Sequence, residues 1–317
     1  MARFAPKAQL AAVTTEEDLG AGDTADRDGL DCVEQGGLGL GELDMALIVQ
    51  EAGYVALPEP LAESAGVAAP MLAALAPEHP LLADPTAILA VAPAINPVVA
   101  AADQAAAILI ERDGHAWLAP RDAVTLVPAP TIDPLRRVFR ISWDASAAED
   151  LGPADWGLAY DRAALFAAAQ GLGMAQRSVD LAVAYAKDRT QFGKPIGSYQ
   201  AVKHHLASAQ VAIEFARPVV LAAAAGIGAQ DVYSRARVSH AKIVALEAAD
   251  LAARSAIQVH GGMGYSWEVD VHLFLKRTLA LTNAWGTPAH HRGRVAERLF
   301  TRTAGPDQTF AREASHA

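Results

Sequence analysis

The sequence predicts a mainly α-helical protein with a small β domain set between two helical regions. Three observations carry that expectation. Hydrophobic residues make up 52% of the 317 residues while aromatics supply only 6%, an alanine-rich balance that suits closely packed helices. Apolar residues recur at helical spacing before Pro85 and again after Pro153. Between them the texture changes to short apolar runs divided by Pro, Asp and Gly, the pattern of strands and turns.

Residues 1 to about 35 are acidic and weakly patterned. In the helical stretch that follows, Met45, Ile48, Val49 and Ala52 form one apolar stripe, and this region is expected to end near Pro85. The runs AILAVA, AAILIE, HAWLA, AVTLV and RVFRIS then read as strands. After Pro153, Leu165, Leu172, Val179 and Val183 mark one face of a long helix ending near Lys187. Further helices are expected at roughly 198–226, 230–259, 268–282 and 289–312. Pro218 should kink or end the first of these, and the alanine tracts read as helix interfaces.

Composition also excludes function classes. The formal charge is −10 and no run of Lys and Arg occurs, so nothing supplies the clustered cationic surface that a nucleic-acid backbone needs. Cys32 stands alone, which removes an intrachain disulfide and a multi-cysteine metal site and fits a reducing compartment, the cytoplasm by default. The N-terminus lacks an apolar core followed by a small-residue cleavage site. Apolar stretches such as 219–228 read as too short for a bilayer, so no membrane span is expected.

Two loops carry the chemistry. RTQFGKPIGSYQ sets Arg189, Gln191 and Phe192 where the long helix ends. Arginine binds a pyrophosphate bidentately, glutamine hydrogen-bonds a cofactor, and phenylalanine packs on a planar ring; taken alone, a surface loop with a basic helix cap explains the segment as well. In QVHGGMGYSWE, Gly261, Gly262 and Gly264 follow the helix that carries Gln258. Glycines there permit positive φ and close approach of a ligand, although a glycine-rich turn between helices is the simpler reading. No strand precedes this loop, which disfavours a dinucleotide fingerprint.

Together, about seventy residues apart, the two segments resemble the acyl-CoA dehydrogenase family. The resemblance runs through AYAKD, RTQFGKPIGSYQAVKHHLA and QVHGGMGYSWEVDVHLFLKR, and includes GGLGLGELDMALIVQEAGY near the N-terminus. It implies a shortened N-terminal helical domain (1–85), a small β domain (86–147) and a C-terminal four-helix bundle (148–317) that serves oligomerisation and the adenosine end of FAD. By resemblance, Arg189, Gln191 and Phe192 would contact the pyrophosphate and adenosine part of a flavin shared between subunits. Gln258, Gly261 and Gly262 would contact its adenine end.

The sequence departs from the family where the chemistry lies. Family members remove the α-proton of an acyl-CoA with a glutamate while the β-hydrogen leaves as hydride to the flavin. In many, that glutamate lies in a Tyr-Glu-Gly-Thr segment, which here is Ala284, Trp285, Gly286 and Thr287. An indole cannot take the proton. In others the base sits on the long helix, near Ala163 in this chain. Asp161 is close, but two residues along a helix turn it about 200° away. The segments that embrace the isoalloxazine, Thr-Glu-Pro-x-x-Gly-Ser-Asp-like and Trp-x-x-Asn-Gly-like, are missing between Asp84 and Ser146; Trp117 and Trp143 read as core.

The chain thus resembles the short non-catalytic subunits of α2β2 acyl-CoA dehydrogenases of bacterial steroid and cholesterol side-chain catabolism, whose longer partner carries the glutamate. Two other readings stand beside it. One is a homomeric dehydrogenase with a relocated base such as Asp161 or Glu268; the other is a flavin-free scaffold. The adjacent pairs His204/His205 and His290/His291 point to different faces and make poor metal ligands. With Arg292 and Arg294, the second pair could form a basic patch near cofactor phosphates.

Overall fold

The computed structural model describes residues 40–301. Cys32, the acidic stretch before residue 35, Gly36, Gly37 and Gly39, and the expected helical residues 302–312 lie outside the described residues. Helix α1 (Glu42–Tyr54) starts where the Asp44 carboxylate accepts the Gly41 amide at 3.1 Å, and Glu42 and Asp44 complement the positive end of its dipole. Met45, Val49 and Ala52 of the expected stripe are buried and Ile48 is half-buried. Helix α2 (Leu61–Leu75) widens to a π-helical turn over Ser64–Ala68. There a Cβ on Gly66 would lie 2.5 Å from the Phe166 ring. The Ser64 hydroxyl accepts the Leu89 amide at 2.9 Å and so joins α2 to the β region. A short helix α3 (Pro80–Ala83) follows.

The five apolar runs form strands β1 (Leu89–Ala92), β3 (Ala107–Arg112), β4 (His115–Pro120), β5 (Val124–Pro128) and β6 (Val138–Trp143). Two further strands, β2 (Val99–Ala100) and β7 (Glu149–Pro153), complete two sheets of order β1-β3-β4-β7 and β2-β6-β5. β7 carries the pairing past residue 147. β1 runs parallel to β3, and the other pairings are antiparallel. Asp113 and Gly114, both at positive φ, turn β3 into β4, as a two-residue hairpin requires. Alternation then sorts the side chains. Leu89, Val91, Leu109 and Leu118 face the helices, while Ala90, Ile108, Ile110 and Ala119 face the second sheet with Val99 and Phe139. Both faces are covered, which is why β1 and β3 read as unbroken apolar runs.

The C-terminal bundle comprises α4 (Trp156–Asp188), α5 (Gln200–Gly226), α6 (Val232–His260), α7 (Val271–Asn283) and α8 (Pro288–Thr301). Asp155 and Asp231 cap α4 and α6 by accepting the amides of Leu158 and Ser234. Leu165, Leu172 and Val179 are buried in the main core, and the alanine tracts do form interfaces, with Ala245, Ala248, Ala249 and Ala252 all buried. α5 does not end at Pro218. Pro218 and Glu214 lie on the solvent face, so water can satisfy the carbonyl that the missing amide frees.

Residues 200–229 also correct the expectation that the apolar stretches are short. With the 3-10 turn that follows α5, this helical stretch is 30 residues long with a mean hydropathy of 1.6 in its most apolar window, long and apolar enough to cross a membrane, and 33% of that window is buried inside the molecule. Its inward face packs in the main core through Ala209, Ile213, Ala216 and Val220.

Candidate functional site

The two signature loops leave the bundle at the same end. Tyr185, one turn before the end of α4, stacks on His260, the last residue of α6, with ring centroids 4.2 Å apart and planes at 21°. His260 is fixed in turn by Nδ1 against the Ala256 carbonyl at 2.7 Å. Beneath this joint lie Ala182, Ala186, Leu206, Ala256 and Ile257. The stack therefore fixes the relative position of the loops that begin at Arg189 and Gly261.

After α4, strands β8 (Thr190–Gln191) and β9 (Lys194–Pro195) form a two-residue hairpin with Phe192 and Gly193 at positive φ. The turn holds the Phe192 ring 92% exposed, edge-on to Tyr199 at 6.4 Å. The Arg189 amide caps the helix by donating to the Tyr185 carbonyl at 2.9 Å. Its side chain is exposed and has no ion pair among the described residues. Gln191 is exposed, and its side chain donates to the neighbouring Thr190 carbonyl at 2.8 Å.

Across the stack, Gln258 is exposed on the last turn of α6, and Gly261 adopts φ 60° and ψ −137°, a conformation open to glycine alone. A Cβ at Gly261 or Gly262 would meet nothing within 4 Å, so both present bare backbone to solvent. Gly264 differs, since its Cβ would sit 2.8 Å from the Ile257 carbonyl; it is glycine because the turn folds onto α6. A free guanidinium, an exposed ring and an open glycine turn fit the phosphate and adenosine part of a dinucleotide.

The second region surrounds Trp285. Ala163 and Trp285, the two positions at which the resemblance places the base, border one crevice of about 220 Å³ with Glu63, Val67, Gln170 and Leu281. Its free interior holds about one water molecule, too little for a flavin ring or an acyl group. Trp285 is 4% exposed, with its ring 6.5 Å from that of Tyr160, which lies 6.3 Å from Trp156. These three rings stand between the β region and the bundle.

Lys242, unremarked in the sequence, and His291, read there only as part of a poor metal pair or a basic patch, hold the backbone around Trp285. The buried Lys242 amine donates to the carbonyls of Ala284 and Gly286. Burial, with a smaller push from Arg136, lowers it to about 7. His291 contacts the Trp285 carbonyl through Nε2 at 3.0 Å and Ser239 Oγ through Nδ1 at 3.1 Å. A carbonyl only accepts, so Nε2 carries the proton. Burial and the nearby Lys242 depress this histidine to about 3.

Asp161 is buried against Arg294 at 2.6 Å. Burial raises its pKa against the pull of that arginine. Glu268 is exposed, and neither carboxylate lines the crevice. Glu63, which does, pairs with Arg136 at 3.2 Å. The basic patch expected around His291 does not form: His291 is buried, Arg294 is taken by Asp161, and Arg292 pairs with Glu247 at 2.9 Å. His204 and His205 are both exposed near the start of α5.

Helical bundle, small β region and paired loops define the acyl-CoA dehydrogenase class. The family model for the acyl-CoA dehydrogenase C-terminal domain matches residues 153–300, and the chain belongs to the acyl-CoA dehydrogenase family. It is 37% identical over 270 residues to the acyl-CoA dehydrogenase IpdE2 of Mycolicibacterium smegmatis, covering 84% of this chain and 82% of that one. It is also 37% identical to IpdE2 of Mycobacterium tuberculosis, covering 77% and 74%. Among solved structures, the ChsE4-ChsE5 complex from Mycobacterium tuberculosis shares the fold with a TM-score of 0.74 at 24% identity, over 86% of this chain and 84% of that one. A variant of the Tcur3481-Tcur3483 steroid ACAD does so with the same TM-score and identity, over 84% and 82%.

Proposed function

We propose that this chain is the non-catalytic subunit of an α2β2 FAD-dependent acyl-CoA dehydrogenase, whose longer partner supplies the glutamate that takes the α-proton. The observation that carries the reading is the contrast between the two regions. Arg189, Phe192, Gly261 and Gly262 stand open at one end of the bundle, whereas an indole stands where the family carries a carboxylate. Arg189 would bind the FAD pyrophosphate bidentately, Phe192 and Gln191 would flank the adenosine, and Gln258 with the Gly261–Gly262 backbone would receive the adenine end. FAD, when bound, supplies the hydride acceptor; this chain's residues would hold its adenosine half and leave proton removal to the partner.

The names of two structural neighbours, a ChsE4-ChsE5 complex and a Tcur3481-Tcur3483 steroid ACAD, support a paired assembly, and the second supports a steroid-derived CoA ester as substrate. Purification with the partner and flavin absorbance before and after Arg189→Ala test it. Stable co-purification and a loss of at least about tenfold in flavin affinity are expected, since about 1.4 kcal/mol of charge-assisted binding corresponds to tenfold. A homotetramer that carries FAD and turns over acyl-CoA alone would refute the reading, and unchanged flavin content would favour a scaffold.

One observation favours a homomeric enzyme instead: a carboxylate, Glu63, does reach the crevice. That reading requires the isolated chain to be active and Glu63→Gln to abolish the activity. It fails if the isolated chain is inert.

A further inference from the structure

Trp285 sits in a left-handed backbone conformation, φ 57°, followed by Gly286 at φ 98°. A side chain this large seldom takes that conformation, and it persists only where the surroundings impose it. Here they do so from three sides. The Trp285 amide donates to Asn96 Oδ1 at 2.8 Å, from the connection between β1 and β2. Lys242 of α6 holds the carbonyls on either side, at 2.8 Å for Gly286. His291 of α8 holds the Trp285 carbonyl itself at 3.0 Å. The segment carrying Asn96 is itself tied down, because the Glu111 carboxylate accepts the Ala94 amide at 2.6 Å and the Tyr160 hydroxyl.

Packing alone does not call for this arrangement. A buried tryptophan in ordinary extended or helical backbone would fill the same volume without strain and without a buried lysine. What the ties fix is the placement of Trp285, which lines the crevice together with Ala163, Glu63 and Gln170. We propose that the Trp285 indole is a fixed stopper in this chain's own acyl-thioester site, and that Asn96, Lys242 and His291 are positioning residues that hold it there. The assembly would then carry no acyl site on this subunit, and the site is closed by a side chain in addition to lacking a base. This rests on the family reading of the crevice, but not on the flavin reading of Arg189.

Titration of the purified full chain with octanoyl-CoA tests the proposal, and in the complex uptake is counted beyond the one acyl site of the partner. The wild-type chain should take up none at about 1 mM, whereas Trp285→Gly should bind one thioester per chain at least about tenfold more tightly than that limit. Glycine suits φ 57°, so this variant relieves the backbone as it opens the site. Lys242→Met, which leaves the indole but frees its loop, should show weaker uptake of the same ligand. Gain of ligand binding is a readout that a merely structural tryptophan would not give. A folded Trp285→Gly chain that takes up no octanoyl-CoA overturns the stopper, as does a wild-type chain that binds it stoichiometrically. If the glycine variant does not fold, Trp285→Leu is judged by the same two outcomes. Flavin content of the complex, read on the same samples, reports separately on the subunit assignment.

Discussion

Helices α1 and α4 cross at a pair of glycines, and Gly173→Ala should be among the more damaging single methyl additions to this protein. A Cβ on Gly173 would lie 1.9 Å from the Gln50 carbonyl oxygen and 2.6 Å from the Tyr54 amide nitrogen; reciprocally, one on Gly53 would lie 2.3 Å from the Gln170 carbonyl. These neighbours are backbone, so relief requires the helices to separate by roughly 1.5 Å, and overpacking against rigid elements costs about 3 kcal/mol or somewhat more. Alanine returns about 1 kcal/mol of helix propensity, leaving a net loss of about 2 kcal/mol. Urea unfolding should show a lower midpoint at unchanged slope, and the melting temperature should fall by roughly 4–8 °C. One separation of α1 from α4 relieves both contacts, so Gly53→Ala with Gly173→Ala should cost less than the sum by about 0.5–1 kcal/mol. A Gly173→Ala protein as stable as wild type, or strict additivity of the pair, would refute this account of the crossing.

Two further predictions follow from buried charge. Arg277 of α7 joins the Leu57 carbonyl at 3.1 Å and Asp133, and Asp133 is 0% exposed; Asp133→Ala strands the guanidinium and should cost about 3–5 kcal/mol in thermal or urea denaturation, with Arg277→Met in the same chain recovering part of it. Lys242 has an ordinary value of 10.5 and is neutral in the folded protein above about 7, so between those limits the unfolded chain holds more protons. Stability should therefore fall as pH drops from 10.5 to 7, by at most about 1.4 kcal/mol per unit, and Lys242→Met should flatten that slope in midpoints measured from pH 7 to 10. His291, neutral when folded down to about 3 against an ordinary 6.5, adds a second loss as pH falls from 6.5, which the Lys242 variant should keep.

Elements whose burial is regular were legible in the sequence. The long face of α4 and the five apolar runs of the β region repeat with periods that only a helix or a strand can use. β7 was not visible because its EDLGP is acidic and half-exposed, and β2 is two residues long. Around the loops, Arg189 and Gly261 were legible as candidates because their residue types suit a phosphate-bearing cofactor. The Tyr185–His260 stack was not, because it joins residues of two different helices through a tertiary contact. Lys242 did leave a signal. It lies among Val238, Ala241, Ala245, Leu246 and Ala249 on the apolar stripe of α6, all buried, and a lysine at that spacing has to find acceptors inside the protein. Asn96 left none, since an asparagine between prolines reads as any turn.

The two regions differ in how their polar groups are satisfied, and that difference bears on function more than either residue list. At the open end, the Arg189 side chain, Gln258 and the exposed residues Gly261 and Gly262 face solvent, and the rigid parts are the Tyr185–His260 stack and the helix ends behind it. Such a surface loses little order when it receives a charged ligand, because its supports are already fixed. At the closed end every hydrogen-bonding group of the Trp285 peptide is matched within the chain: its amide by Asn96 and its carbonyl by His291. Opening that site would expose those partners along with the Lys242 amine, which is buried beneath the neighbouring carbonyls. A ligand entering there would have to replace four protein contacts before making one of its own, whereas a ligand at the other end would displace only water. The same helices α4 and α6 carry both ends, so substitutions that loosen the closed site without moving the Tyr185–His260 stack separate the two roles.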